Sequence, residues 1–382
     1  MLTSSQRTLT THAGSLPRPP RLRDLVVQRA SGAAVDEATY ASEVAAAVAA
    51  VVKRQVELGL DVVSDGEMSK PGFFQYVAER FTGFEGGQST PVPRADLADF
   101  PEYAERVGAV GSGVIRNPAC VGPVKLKDRA GLERDLVNLA SACQQAPPTE
   151  AFVPAASPGI IAQNLRNQYY ANDEEYLTAL ADALGEEYAL IVAHGFVLQV
   201  DCPDLAMGRH VLFADAPLEE FRRNVELHIE ALNHALEGLP PDRLRLHLCW
   251  GNYPGPHHRD VPLVDILDIV LKARPLGLSV EAANPRHGHE WQVFESVTLP
   301  EDKLLMPGVI DSCSNYIEHP ELVAQRIVRY ASLVGRERVI AGSDCGFGTS
   351  AVWSTVEPAI VWAKLGSLVQ GARLASHMLW PA

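Results

Sequence analysis

The sequence contains no long apolar run, no excess of positive charge and no dense cysteine pattern, and each absence excludes a class of protein. A bilayer-spanning helix needs about 18 consecutive apolar residues. The longest apolar run, 44–52, is alanine-rich, short and followed by Lys53 and Arg54. No charged segment followed by a hydrophobic core opens the chain, so no secretory leader is expected and a cytoplasmic location follows. Lysine and arginine total 33 against 47 aspartates and glutamates, giving a formal net charge of −14. That balance argues against nucleic acid and against an anionic membrane as partners. The six cysteines, Cys120, Cys143, Cys202, Cys249, Cys313 and Cys345, lie far apart. Reduced thiols, some of them metal ligands, are expected rather than a disulfide framework. Low-complexity tracts and clear internal repeats are also missing.

What remains is an ordinary globular composition, 47% apolar and 21% charged over 382 residues. Short β-rich runs alternate with longer amphipathic segments, the pattern of a parallel α/β fold. Eight candidate strands centre on 8–12, 61–64, 150–154, 197–201, 244–249, 278–281, 304–310 and 339–343. Helical segments such as 40–58, 173–194, 218–236 and 321–334 fall between them. Eight such units in one chain favour a single (β/α)8 barrel over 1–382, an open doubly wound sheet being the alternative. The Gly- and Pro-rich stretch 81–129 breaks the alternation. It is expected to be an inserted hairpin and helix region over one barrel mouth, following the second βα unit. It would contain an additional strand at 120–126, with a helix at 132–142 behind it.

The expected strands end in chemically able residues. A barrel would bring Glu67, Asp201, His247, Cys249, Glu281 and Cys345 to one rim, where barrel enzymes place their active sites. His247 and Cys249 stand two apart on a strand and so point the same way. With Glu281 and Cys345 they form a mixed nitrogen, sulfur and oxygen set that suits tetrahedral zinc. Two thiolates and a carboxylate would make the ion electron-rich, favouring activation of a small thiol as a zinc thiolate over acidification of water. The plain alternative is that an H-x-C pair in a buried strand is packing, since cysteine is also a small apolar residue. Cys345, beside Asp344 in a glycine-flanked polar loop, fits the packing reading less well.

These residues resemble the cobalamin-independent methionine synthase family, specifically its C-terminal catalytic barrel. Thr10-Thr11-His12-Ala13-Gly14-Ser15-Leu16-Pro17-Arg18 looks like the family's opening strand and loop. Asp61-Val62-Val63-Ser64-Asp65-Gly66-Glu67 looks like its second strand motif, and Val200-Asp201-Cys202-Pro203 is similar to its Asp-Glu-Pro. His247-x-Cys249, Glu281 and Asp344-Cys345-Gly346 match its zinc ligands in type and order. The resemblance implies zinc held by His247, Cys249, Glu281 and Cys345, with Ser15, Glu67 and Asp201 gripping the amino-acid end of homocysteine. Asp311 and Asp344 are the candidate catalytic groups. The departures are a missing N-terminal barrel, Cys202 for the Glu of Asp-Glu-Pro, and Cys313 where the synthases carry a histidine. A thiol is a poor general acid, which puts an N-methyl folate donor in doubt.

The reaction expected is therefore methyl transfer to homocysteine from a methyl folate, a methyl corrinoid or another alkyl donor. Addition of coenzyme M to an epoxide by a short relative, and a metal-free lyase resembling uroporphyrinogen decarboxylase, are the alternatives. The loops 252–260 and 284–290 hold four histidines and two arginines. Arg286 is the candidate for recognising an anion there; a second metal site or plain solvated loops are the other readings. A homo-oligomer or a partner protein that delivers the methyl group stays open.

Overall fold

The computed structural model describes residues 1–86, 94–108, 117–352 and 354–381. Its strands are β1 (Leu9–Thr10), β2 (Val62–Val63), β3 (Phe84–Glu85), β4 (Ala119–Cys120), β5 (Glu150–Ala156), β6 (Val197–Asp201), β7 (Leu244–Leu248), β8 (Gly277–Val280), β9 (Leu304–Ile310) and β10 (Ile340–Ser343). Eight of them form one parallel sheet in the order β1-β10-β9-β8-β7-β6-β5-β2. The seam between β1 and β2 is closed mainly through Asp61. Its carboxylate accepts the Thr10 N–H at 2.9 Å, and its own N–H donates to the Thr10 carbonyl at 3.2 Å. The fold is a (β/α)8 barrel, and all eight expected strands are in it.

The helices form where the apolar spacing placed them. Glu37–Leu58 is capped by the Asp36 side chain and stopped by Gly59 at φ 97°. Asp173–Ala193 is capped by Asn172 and opens with three acids, which suit the positive end of a helix. Each buries one face on the sheet, and one continuous apolar cluster joins helices to strands. Two helices longer than ten residues were not anticipated among the described residues, Pro20–Ala30 and the C-terminal Pro358–Leu379. The latter covers the outside of the barrel beside Pro320–Val334.

The expected strand at 120–126 is corrected to the two residues of β4, antiparallel to β3. Pro123 has no N–H for a ladder, and Gly83 crosses so close to the Gly122 carbonyl that a Cβ would stand 2.6 Å from it. The helix behind runs longer than expected, Arg129–Gln145. The parts of the insertion at 87–93 and 109–116 lie outside the described residues. Its helices Ala95–Ala98 and Pro101–Gly108 are described.

The barrel interior is partly polar. Arg245 on β7 donates to Gln199 Oε1 at 2.8 Å, Thr11 Oγ1 at 2.9 Å and the His12 carbonyl at 2.8 Å, with its guanidinium over the Phe152 ring. Among the described residues no helix is long and apolar enough to cross a membrane.

Candidate active site

Side chains two apart on a strand share a face, so Arg245 and His247 both point into the barrel and Cys249 follows just beyond the end of β7. Cys345 sits one turn of backbone past β10. A ring nitrogen of His247 and the Sγ atoms of Cys249 and Cys345 lie within 4.8 Å of one another, all three residues buried. No other three metal-capable side chains among the described residues meet that distance. His247 Nδ1 is 3.1 Å from Ser279 Oγ on β8, and Nε2 is buried without a hydrogen-bond partner.

The two sulfurs are unlike each other. The hydrogen bond with Cys345 holds the Cys249 thiol well below its ordinary range despite burial, and His247 adds to the effect. The same bond and burial push Cys345 well up. Metal ligands must be deprotonated sulfur and neutral imidazole, and this donor set fits a zinc ion.

Glu281, expected as the fourth ligand, stands outside that group. Its Oε1 accepts the Trp250 N–H at 3.2 Å and its Oε2 the Asn284 amide at 2.8 Å. Burial, then the negative charge of Cys249, raise its carboxyl well above the ordinary range. Asp344 is committed elsewhere too: its carboxylate accepts the backbone N–H groups of Ala282, Ala283 and Asn284, each at 2.8 Å. It fixes the loop after β8 rather than facing the cavity. Asp311 closes a turn by accepting the Cys313 N–H at 2.8 Å. Cys313 and Ser312 both reach Asn252 Oδ1 at 3.0 Å.

The sulfur pair and His247 open into a cavity of about 220 Å³ that is also lined by Ser15, Glu67 and Asp201. Ser15 is clamped by the loop after β10. Its Oγ accepts the Gly348 N–H, its carbonyl accepts the Phe347 N–H, and a Cβ on Gly346 would stand 2.1 Å from its Oγ. Glu67 holds φ at 59°, a left-handed conformation rare for a side-chain-bearing residue outside functional sites. Its Oε2 is buried and unpaired. Burial raises Glu67 to about 7, with Asp201 contributing, and raises Asp201 to about 6. Asp201 accepts from Gln199 Nε2 at 2.7 Å, and Gln199 is held in turn by Arg245. Sequence reasoning overlooked Gln199 and Arg245, although Arg245 shares the face of His247.

Arg286 is exposed, donates to the His258 carbonyl at 3.2 Å and does not line the cavity. Among the described residues the cation on the cavity wall is Arg94, from the insertion. Among the described residues the histidine-rich loops do not gather a second metal group. Instead Asp260 sits between His210, His257 and His287 at 2.9, 2.8 and 3.0 Å, and His287 also bonds Glu290 at 2.8 Å. His258 and Arg259 pair with Asp99 of the insertion, and His289 is exposed.

The chain is similar to known proteins in sequence and in fold. The family model "Cobalamin-independent synthase, Catalytic domain" matches residues 8–93, the stretch holding Ser15 and Glu67. The methionine synthase of Saccharolobus islandicus (strain Y.N.15.51 / Yellowstone #2) is 26% identical over 376 residues, covering 97% of this chain and 95% of that protein. The methionine synthase of Thermococcus kodakarensis is 26% identical over 371 residues, covering 97% and 94%. Along almost all of its length the chain is similar to methionine synthases, and over residues 8–93 to the cobalamin-independent catalytic domain. The fold agrees as well. A B12-independent methionine synthase from Shewanella sp. W3-18-1, solved in complex with selenomethionine, superposes with a TM-score of 0.75 at 20% identity, covering 98% of this chain and all of that one. These synthases match the chain end to end, so the likeness is not to a fragment of a much longer relative.

Proposed function

We propose that this chain is a zinc-dependent thiol alkyltransferase whose reaction is methyl transfer to homocysteine. The observation that carries the reading is the meeting of the buried His247, Cys249 and Cys345 in one cavity with Glu67 and Asp201. The similarity to methionine synthases over 97% of the chain supports the same class of reaction. His247 Nε2, Cys249 and Cys345 would hold the zinc, and Glu281, beside Cys249, would be a weaker fourth ligand. When bound, the ion supplies positive charge that keeps a substrate sulfhydryl deprotonated at neutral pH.

The protein's own groups do the rest. Glu67 and Asp201, once ionised, pair with the substrate ammonium and orient the amino acid so that its sulfur meets the two cysteines. Gln199 and Arg245 hold Asp201 in place. A carbon–sulfur bond forms, the donor's bond to the methyl carbon breaks with its electron pair staying on the donor, and the thiol proton is released. Asp311 and Asp344 shape the loops around the cavity in this reading. Coenzyme M, with a sulfonate and no ammonium, leaves the acidic pair without a counterpart.

Metal analysis of the purified, zinc-reconstituted protein tests the reading. Zinc bound at one ion per chain and lost in Cys345→Ser is expected, with homocysteine adding a sulfur to the zinc absorption-edge spectrum. No zinc, or a spectrum altered by coenzyme M and indifferent to homocysteine, overturns it.

A further inference from the structure

The inserted segment brings a cation to the site. Arg94 lies just before the short helix Ala95–Ala98, its guanidinium carbon 3.8 Å from the centre of the Tyr253 ring. Tyr253 is held by Asp96 of the same segment, and Asp96 also accepts the His257 N–H at 3.1 Å. The guanidinium is therefore anchored by stacking rather than by a counter-charge. Arg94 forms no salt bridge among the described residues, and its Nη1 is buried without a hydrogen-bond partner. Among the described residues it is the single lysine or arginine on the cavity wall.

Room has been made for it beside the sulfur pair. Gly251, two residues after Cys249, adopts φ 107°, and a Cβ there would come within 3.0 Å of Arg94 Nη1. A side chain at 251 would push the guanidinium away. A buried, unpaired guanidinium nitrogen is unfavourable unless something completes it. Its planar fork matches a carboxylate better than any neutral group. On the same wall the Oε2 of Glu67 is likewise buried and unpaired. The cavity thus holds one unsatisfied cationic donor and one unsatisfied acidic acceptor.

We propose that Arg94 is a specificity-determining residue that binds the carboxylate of an amino-acid substrate whose ammonium is held by Glu67 and Asp201. This rests on the functional reading above and adds to it a residue that the insertion supplies. The site then selects zwitterions: an amine without a carboxylate satisfies only half of it, and a simple thiol acid only the other half.

Calorimetric binding separates the two readings without any turnover. The probes are L-methionine and 3-(methylthio)propylamine, which lacks the carboxylate, each titrated into the unaltered protein, Arg94→Ala and Arg94→Lys. The unaltered protein should prefer L-methionine, and Arg94→Ala should lose that preference by about tenfold or more, as expected for a charge-assisted pair in a buried site. Arg94→Lys should keep part of it, because the charge remains while the fork is lost. A preference undiminished in Arg94→Ala overturns the role of Arg94 alone. An unaltered protein that binds neither probe overturns the amino-acid reading of the cavity and this assignment with it. Circular dichroism of each variant confirms that the fold is retained.

Discussion

His247 Nδ1 and Ser279 Oγ lie 3.1 Å apart on neighbouring strands β7 and β8. A proton donated from Nδ1 to the serine leaves Nε2 as the lone-pair nitrogen, and Nε2 is the atom buried without a partner. With Ser279 Oγ as acceptor the ring takes the tautomer a metal ligand needs. Ser279→Ala should weaken zinc binding by about 10- to 100-fold with little change in the fold, the range typical of groups that orient a ligating histidine. Competition with a chromophoric zinc chelator measures it. Unchanged affinity would mean that Ser279 does not orient the ring.

Asp344 was expected as a catalytic group, yet its carboxylate accepts three backbone N–H groups from residues 282–284. Removing a buried acceptor leaves the donors unpaired, at about 1–3 kcal/mol for a lost partner. Asp344→Ala should therefore destabilise the protein by about 3 kcal/mol, visible as a lower urea midpoint with an unchanged slope. A loss of activity at full stability would instead restore its catalytic role.

Glu67 and Asp201 are raised to about 7 and about 6, burial being the first cause for each. A carboxyl whose folded value exceeds its unfolded one stabilises the fold below the unfolded value, near 4, and that contribution is lost as pH rises through the folded value. Relative to Glu67→Gln, the ligand-free protein should lose thermal stability between about pH 4.5 and pH 7. Ligands carrying an ammonium need the ionised pair, so the rise in Tm on adding L-methionine should grow over the same window. Differential scanning calorimetry across pH, with and without L-methionine, checks both signs. Parallel Tm profiles for the two proteins would contradict the raised value of Glu67.

Gln199 links Arg245 to Asp201 through bonds of 2.8 and 2.7 Å. Gln199→Leu leaves Asp201 free to rotate and one guanidinium nitrogen unpaired. Stability should fall by about 1–3 kcal/mol, and the KM for the amino thiol should rise more than kcat falls, because binding geometry is what is lost. Equal losses in kcat and kcat/KM would place Gln199 in the chemistry instead.

The fold and the grouping of His247, Cys249 and Cys345 were legible for different reasons. Strand and helix periods are local properties of the chain, so the eight strands could be read from stretches such as Leu244–Leu248 and Leu304–Ile310. The i and i+2 rule placed His247 and Cys249 on one face before any contact was known. Loops carry no such period. Arg286 looked like the anion-binding residue because it follows a strand end, yet it turns outward to the His258 carbonyl. Arg94, in a stretch without a motif, lies against Tyr253 instead.

The sequence alone determined the barrel, the rim at which its polar strand ends meet, and the nitrogen and sulfur donors, since all three follow from spacing along the chain. Tertiary structure decided which carboxylates face the cavity and which hold loops. Glu67 Oε2 is left unpaired while Asp344 is consumed by backbone N–H groups, a choice made by neighbours far away in the chain. It also decided that Asp96 and Asp99 of the insertion hold the 252–260 loop. Contacts across about 160 positions leave no local pattern, because the partners are brought together only by closure of the barrel between them.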